Sequence, residues 1–212
     1  MESQDLLYDN IQEQAYDLAC KLAREQLATM SVEELCRKAG VQPADSNNII
    51  VEYLNQSYLV TLPNGEISLK GSGTVIPPKD KILILHYLTT AKGTPITNKL
   101  ITYKQLPGGV GYFPAFSQRA TGPILKRFGK EPELLVDAAQ KFGGYKARHG
   151  DVSMTINAFP RVPITIVLWR GDDEFAPGGS ILFDSSISDY LSTEDVAVLC
   201  ETVIWKLVKG SG

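Results

Sequence analysis

Histidine and cysteine are scarce in this chain, two of the first and three of the second in 212 residues. Cys20, Cys36 and Cys200 are far apart, odd in number and never spaced C-x-x-C, so the chain encodes neither a zinc ribbon nor a self-contained iron–sulfur cluster. Absent too are H-E-x-x-H and G-x-S-x-G, so zinc-hydrolase and α/β-hydrolase readings fail on their motifs. The glycines of PGGVG (107–111) are followed by no Gly-Lys-Ser/Thr, which leaves a turn rather than a phosphate loop. Basic charge is not in excess: 21 Lys and Arg face 24 Asp and Glu, a net charge of −3. That balance argues against nucleic acid and anionic membrane as partners. No apolar run approaches the ~18 residues that cross a bilayer. The opening MESQDLLYDN has neither the basic nor the apolar region of an export signal, so the expectation is a soluble, cytoplasmic protein.

What is present is ordinary globular material, 43% hydrophobic and 21% charged. Leu7, Ile11, Ala15, Leu18 and Leu22 recur at helical spacing and predict an apolar stripe on a first helix. Ser31 with Glu34 three positions on is a capping-box pattern opening a second helix, which Gly40 closes. Strands are expected at 49–54 and 57–62, with a turn at Pro63-Asn64-Gly65 and a return arm at 66–69. Gly71, Gly73, Pro77 and Pro78 mark a seam. Beyond it come a buried helix (79–93), a short strand (100–106) and two helices (113–128 and 131–142). Strands at about 152–158, 163–169 and 180–184 follow, then a last helix (193–208) capped by Ser192. Helices and hairpin-linked strands are segregated, so the fold class is α+β, with helices packed on a largely antiparallel sheet. The expected organisation is an N-terminal subdomain of helices and hairpin (1–75), a main α+β body (76–209) and a flexible tail (210–212).

Few residues gather into a chemical pattern. Asp172-Asp173-Glu174 sits between two apolar runs, but consecutive residues of an extended chain point to opposite faces, and the order of a calcium loop is missing. The expectation is a hairpin cap in which Asp173 or Glu174 pairs with an arginine, and no metal site. His86 lies inside ILILHYL, where a hydrogen-bonded core histidine is expected, and His149 has no ligand-spaced companion. Tyr112 and Arg119 combine an aromatic with a cation near a helix start, and Arg161 is held between prolines 160 and 163. These three, with Asp173 and Glu174, are the candidate ligand-binding residues; none is assigned as catalytic. SVEELCRKAGV (31–41) has the outline of half a helix-turn-helix, but VQPAD after Gly40 brings no basic residue to a recognition helix.

FPRVPITIVLW (159–169), GDDEF (171–175), ILFD (181–184) and YLSTED (190–195) together resemble the domain-of-unknown-function family 3786 of bacteria and archaea. HYLTTAKGTPI (86–96) and the stretch from Gly108 to Arg119 are similar to it as well. The family is met mainly in anaerobes, and some members carry a four-cysteine iron–sulfur module similar to that of corrinoid proteins. The resemblance therefore implies a binding or accessory domain in anaerobic one-carbon, corrinoid or iron–sulfur redox metabolism, acting with a protein or cofactor partner. No such cysteine cluster exists in this sequence, so no cofactor is assigned to the chain and a corrinoid or iron–sulfur group would belong to the partner. The alternative is an enzyme for a small anionic substrate, with a pocket made by the arginines and the acidic loop.

Overall fold

The structure, a computed structural model, describes the backbone of residues 2–211 and the side chains of residues 15–211. Helix α1 (Glu2–Leu27) carries two apolar stripes, and the core takes the one that the spacing argument passed over. Leu18 is 58% and Leu22 56% exposed, while Tyr16, Ala19, Cys20, Ala23 and Leu27 face inward; Leu7 and Ile11 lie outside the described side chains. The reason is fit. Helix α1 packs on α3 (Pro78–Thr90), whose residues Ile82 to Leu85, Tyr87 and Leu88 are all buried. Alanines at 19 and 23 let the two helices approach, whereas leucines there would hold them apart.

Helix α2 (Val32–Ala39) begins at Ser31, whose Oγ accepts from the Glu34 amide at 3.1 Å, and ends at Gly40 with φ 68°. Only that half of the capping box forms, because the Glu34 carboxylate turns to Lys38 at 2.6 Å. A four-stranded antiparallel sheet follows in simple order: β1 (Gln42–Pro43), β2 (Asn48–Tyr53), β3 (Gln56–Thr61) and β4 (Glu66–Leu69). Leu54 and Asn55 join β2 to β3 with φ of 49° and 62°, the left-handed pair that matches the twist of a tight hairpin.

After α3 and an irregular stretch, β5 (Leu100–Thr102) stops earlier than expected, and residues 103–105 form a 3-10 turn closed by the Gln105 side chain on the Thr102 amide at 2.8 Å. The glycine loop also ends early. Helix α4 (Gly109–Phe116) starts at Gly109, where a Cβ would stand 2.0 Å from the Tyr103 carbonyl oxygen. It runs through a π segment (Ser117–Thr121) into α5 (Gly122–Phe128). Pro123 supplies no N–H to this helix, and the Gly122 amide reaches back five residues to Ser117 instead. Helix α6 (Leu134–Gln140) is shorter than the predicted 131–142.

The second sheet holds β6 (Tyr145–Lys146), β7 (Val152–Phe159), β8 (Val162–Trp169) and β9 (Gly178–Asp184), in the order β5-β9-β8-β7-β6, all antiparallel. Central β8 is apolar without alternation because both its faces are covered. Helix α7 (Thr193–Gly210) closes the fold with a complete capping box between Ser192 and Asp195. It runs two residues beyond its predicted end; Lys141 donates to the Gly210 carbonyl and Arg127 to that of Ser211. The α+β class, with both sheets antiparallel, is as the segregated pattern required.

A column of aromatic rings links these parts. Tyr53 of β2 stacks on Phe159 of β7 at 4.8 Å, Phe159 on Tyr87 of α3 at 4.2 Å and 8°, and Tyr87 lies 5.9 Å from Tyr190. Each tyrosine hydroxyl donates a hydrogen bond: Tyr53 to Asp80 at 2.9 Å, Tyr87 to the Ala39 carbonyl and Tyr190 to the Thr94 carbonyl. Phe159 alone has no polar tie, so its contribution is packing alone. Phe159→Ala is expected to cost about 4 kcal/mol by opening a cavity between both sheets and α3, read as a lower midpoint in urea unfolding.

Candidate functional site

The five candidate residues lie in three separate places. Arg161 stands in the turn just before β8 and the acidic loop follows the strand's last residue, Trp169, so eight residues of extended strand, roughly 26 Å, separate them. The pocket of the alternative reading, which needs Arg161 and the acidic loop together, is therefore not formed. Arg161 instead lies across the C-terminal end of α2, where a Cβ on Gly40 would be 3.1 Å from its Nε. A cation is favourable against the partial negative charge of that helix end. Its Nε is buried with no hydrogen-bond partner. Tyr112 is 67% exposed on α4, and Arg119 sits in the π segment; both act on the hydroxyl of Tyr103, whose pKa burial raises.

In the acidic loop the organising residue is Asp172. Its Oδ1 accepts from the amides of Glu174 at 2.9 Å and Phe175 at 2.7 Å. Asp173 and Glu174 are exposed and form no arginine pair among the described residues. The arginine at that end, Arg170, pairs with Glu133, and its amide donates to Asp151 at 2.7 Å. Asp184, at the other end of β9, is 2% exposed and accepts five hydrogen bonds. These come from the amides of Thr97, Asn98 and Ser186 and the hydroxyls of Thr97 and Ser186, at 2.7–3.0 Å. Burial raises its pKa, but these donors prevail and hold it below the usual carboxylate range.

A cleft with a cavity volume of about 660 Å³ opens between α1, α3 and α7, and none of the five candidates lines it. Its walls are apolar: Tyr16 from α1, Pro77 and Pro78 at the entry to α3, and half-exposed Trp205 from α7. Pro78 can stand there because the first turn of a helix needs no N–H. Two residues further along lies Asp80, 2% exposed, held by the Tyr53 hydroxyl at 2.9 Å and Lys206 Nζ at 3.1 Å. Lys79 and Glu201 pair at 3.2 Å on the rim. Two lysines of α7, Lys206 and Lys209, form a divide shared with a second recess of about 450 Å³ lined by Leu54, Asn55, Gln56, Lys141 and Phe142. A cleft of this size, apolar with a few fixed polar groups, is suited to a small molecule.

The polar contacts between α3 and α7 continue at His86, whose Nδ1 stands 2.7 Å from Asp195. The ring is partly exposed, not sealed in the core as expected. Burial pushes the Asp195 carboxyl up, but hydrogen bonds from His86 and Ser192 outweigh it and leave its pKa lowered. The dyad joins a helix cap to a neighbouring helix. Burial raises the pKa of the Cys20, Cys36 and Cys200 thiols, so all three stay protonated and poorly nucleophilic. Among the described residues, no three His, Cys, Asp or Glu side chains are grouped to hold a metal ion, and no helix is long and apolar enough to cross a membrane.

Two measurements test this geometry. Lys206→Met strands a buried carboxylate and is expected to cost about 3 kcal/mol. Asp80→Asn in the same chain removes that charge, so the double variant is expected to be more stable than the sum of the two single losses allows. Asp184 gives the acid response. Its folded pKa lies below the unfolded value of about 3.9, so its stabilisation is complete above that value and lost as pH falls through the folded pKa. Asp184→Asn is expected to be less stable at pH 6 and to lose less on acidification to about pH 3, read from urea midpoints across that range.

No curated protein and no solved structure matches the chain. The profile of the family described as "Domain of unknown function (DUF3786)" matches residues 31–206, from the cap of α2 to Lys206 at the cleft. The match takes in every strand of both sheets and the stretches that carry the resemblance, and the chain belongs to the DUF3786 family.

Proposed function

We propose that this protein is a binding or accessory domain whose ligand seat is the cleft between α1, α3 and α7. The observation that carries this reading is the combination of apolar walls from Tyr16, Pro77, Pro78 and Trp205 with a buried Asp80 already bonded to Tyr53 and Lys206. Asp80 with both partners in place is a fixed polar floor, able to orient a ligand and poorly placed to move protons. The family resemblance gives the setting: anaerobic one-carbon, corrinoid or iron–sulfur redox metabolism, with any cluster or corrinoid carried by a partner protein. Under this reading the protein works in the cytoplasm, and its product is a complex, not a chemical change.

A ligand that binds only the folded state raises the melting midpoint. Thermal unfolding is to be followed with cobamides, nucleotides and divalent metal salts, in the wild type and in Trp205→Ala. A shift of several degrees with one class, diminished in Trp205→Ala, is the expected result. No shift with any class, together with no complex on mixing with corrinoid and iron–sulfur proteins, would overturn the reading.

A further inference from the structure

The recess beside the cleft differs from it in charge. The cleft's three acids are matched by three lysines, and two of the acids are tied, Asp80 to Lys206 and Glu201 to Lys79. Across the divide the recess is lined by Lys141, Lys206 and Lys209 and, among the described residues, by no acid. Lys206 and Lys209 are three residues apart on one helix and so are neighbours on its surface. The amides of Asn55 and Gln56 add neutral donors on the same wall. Asn55 is fixed there by its left-handed turn conformation and by contact with Gly143, where a Cβ would meet it at 3.0 Å.

Complementing the carbonyls at the end of α7 explains part of this lysine cluster, and Lys141 does donate to the Gly210 carbonyl. That use does not exhaust the donors. An ammonium has three N–H groups; Lys141 spends one on Gly210 and Lys206 one on Asp80, while Lys209 has no side-chain bond among the described residues. We infer that the recess is the anion-binding half of a two-part site, and that the ligand is an amphipathic anion. Its apolar body, a flat ring system or acyl chain, lies against Trp205 and Tyr16. Its phosphate, carboxylate or sulfonate reaches over Lys206 to Lys209 and Lys141. This rests on the cleft being the ligand seat and adds the class of molecule that the seat accepts.

Two dyes separate the inference from the reading beneath it. Anilinonaphthalene sulfonate has a ring body with an anionic group, and N-phenylnaphthylamine has the same body without the charge. Both brighten in apolar sites, and energy transfer from Trp205, with Trp169 replaced by Phe, localises them to the cleft. The sulfonate is expected to bind about tenfold more tightly than the neutral dye at low salt. That advantage should vanish in Lys141→Gln/Lys209→Gln and shrink in wild-type protein as salt rises. The salt titration needs no variant, so it decides the matter even if the double variant unfolds. Equal binding of the two dyes, indifferent to salt, would overturn the anion site and leave the cleft standing as a seat for neutral ligands. Absence of energy transfer from Trp205 with either dye would overturn both.

Discussion

The column of rings from Tyr53 through Phe159 and Tyr87 to Tyr190 is the constraint on which the rest of the fold depends. Its members come from the first sheet, the second sheet, the central helix and the segment before the last helix. Three of the four rings are tyrosines buried so deeply that burial raises the pKa of each hydroxyl. Such a hydroxyl must find a partner or forfeit the desolvation it has paid. Each finds one in a different element, so the same residues that supply apolar contact also fix register between elements. Pro160 and Arg161 stand against Gly40, which brings the β7–β8 turn to the end of α2.

The cleft follows from how that column is anchored. Tyr53 requires an acceptor, and Asp80 provides it only by entering the core with its charge. A buried charge requires a counter-ion, and Lys206 of α7 supplies one from the rim. The lysine stem reaches down between α3 and α7, and the space around it, walled by prolines and by Trp205, is the cleft. Site and core thus share one hydrogen-bond chain, from the rings to the lysine.

Much of this was legible in the sequence, and the failures have physical causes. Segregated helices and hairpins gave the α+β class, and turn residues placed most strands within a residue or two. On α1 two stripes had the same periodicity, and only the shape of α3 chose between Leu18–Leu22 and Ala19–Ala23. The continuation of α4 through a π segment depended on how the chain accommodates Pro123, which periodicity does not report. The candidate residues are those where charge stands out against apolar neighbours near turns; of these Arg161 lies at a helix end, while Asp173 and Glu174 stand exposed beside Asp172, which holds the turn. The cleft is built from residues whose roles look structural one at a time: an acid in a first helical turn, two prolines, a tryptophan on a helix face. Asp80 left one signal, an acid two residues ahead of six nearly continuous buried apolar residues, but acids are common in first turns for the helix dipole.

Asp184 shows how one buried carboxylate can hold two loops through the backbone. Three of the five donors it gathers are main-chain amides, those of Thr97, Asn98 and Ser186. Any residue but proline supplies an amide, so the loops it ties are free to change their side chains while the carboxylate is not. A shorter acceptor would not span both loops, and a longer one would not fit a site 2% exposed. A change of side chain in either loop leaves its amide in place, whereas a change at 184 releases three amides and two hydroxyls at once.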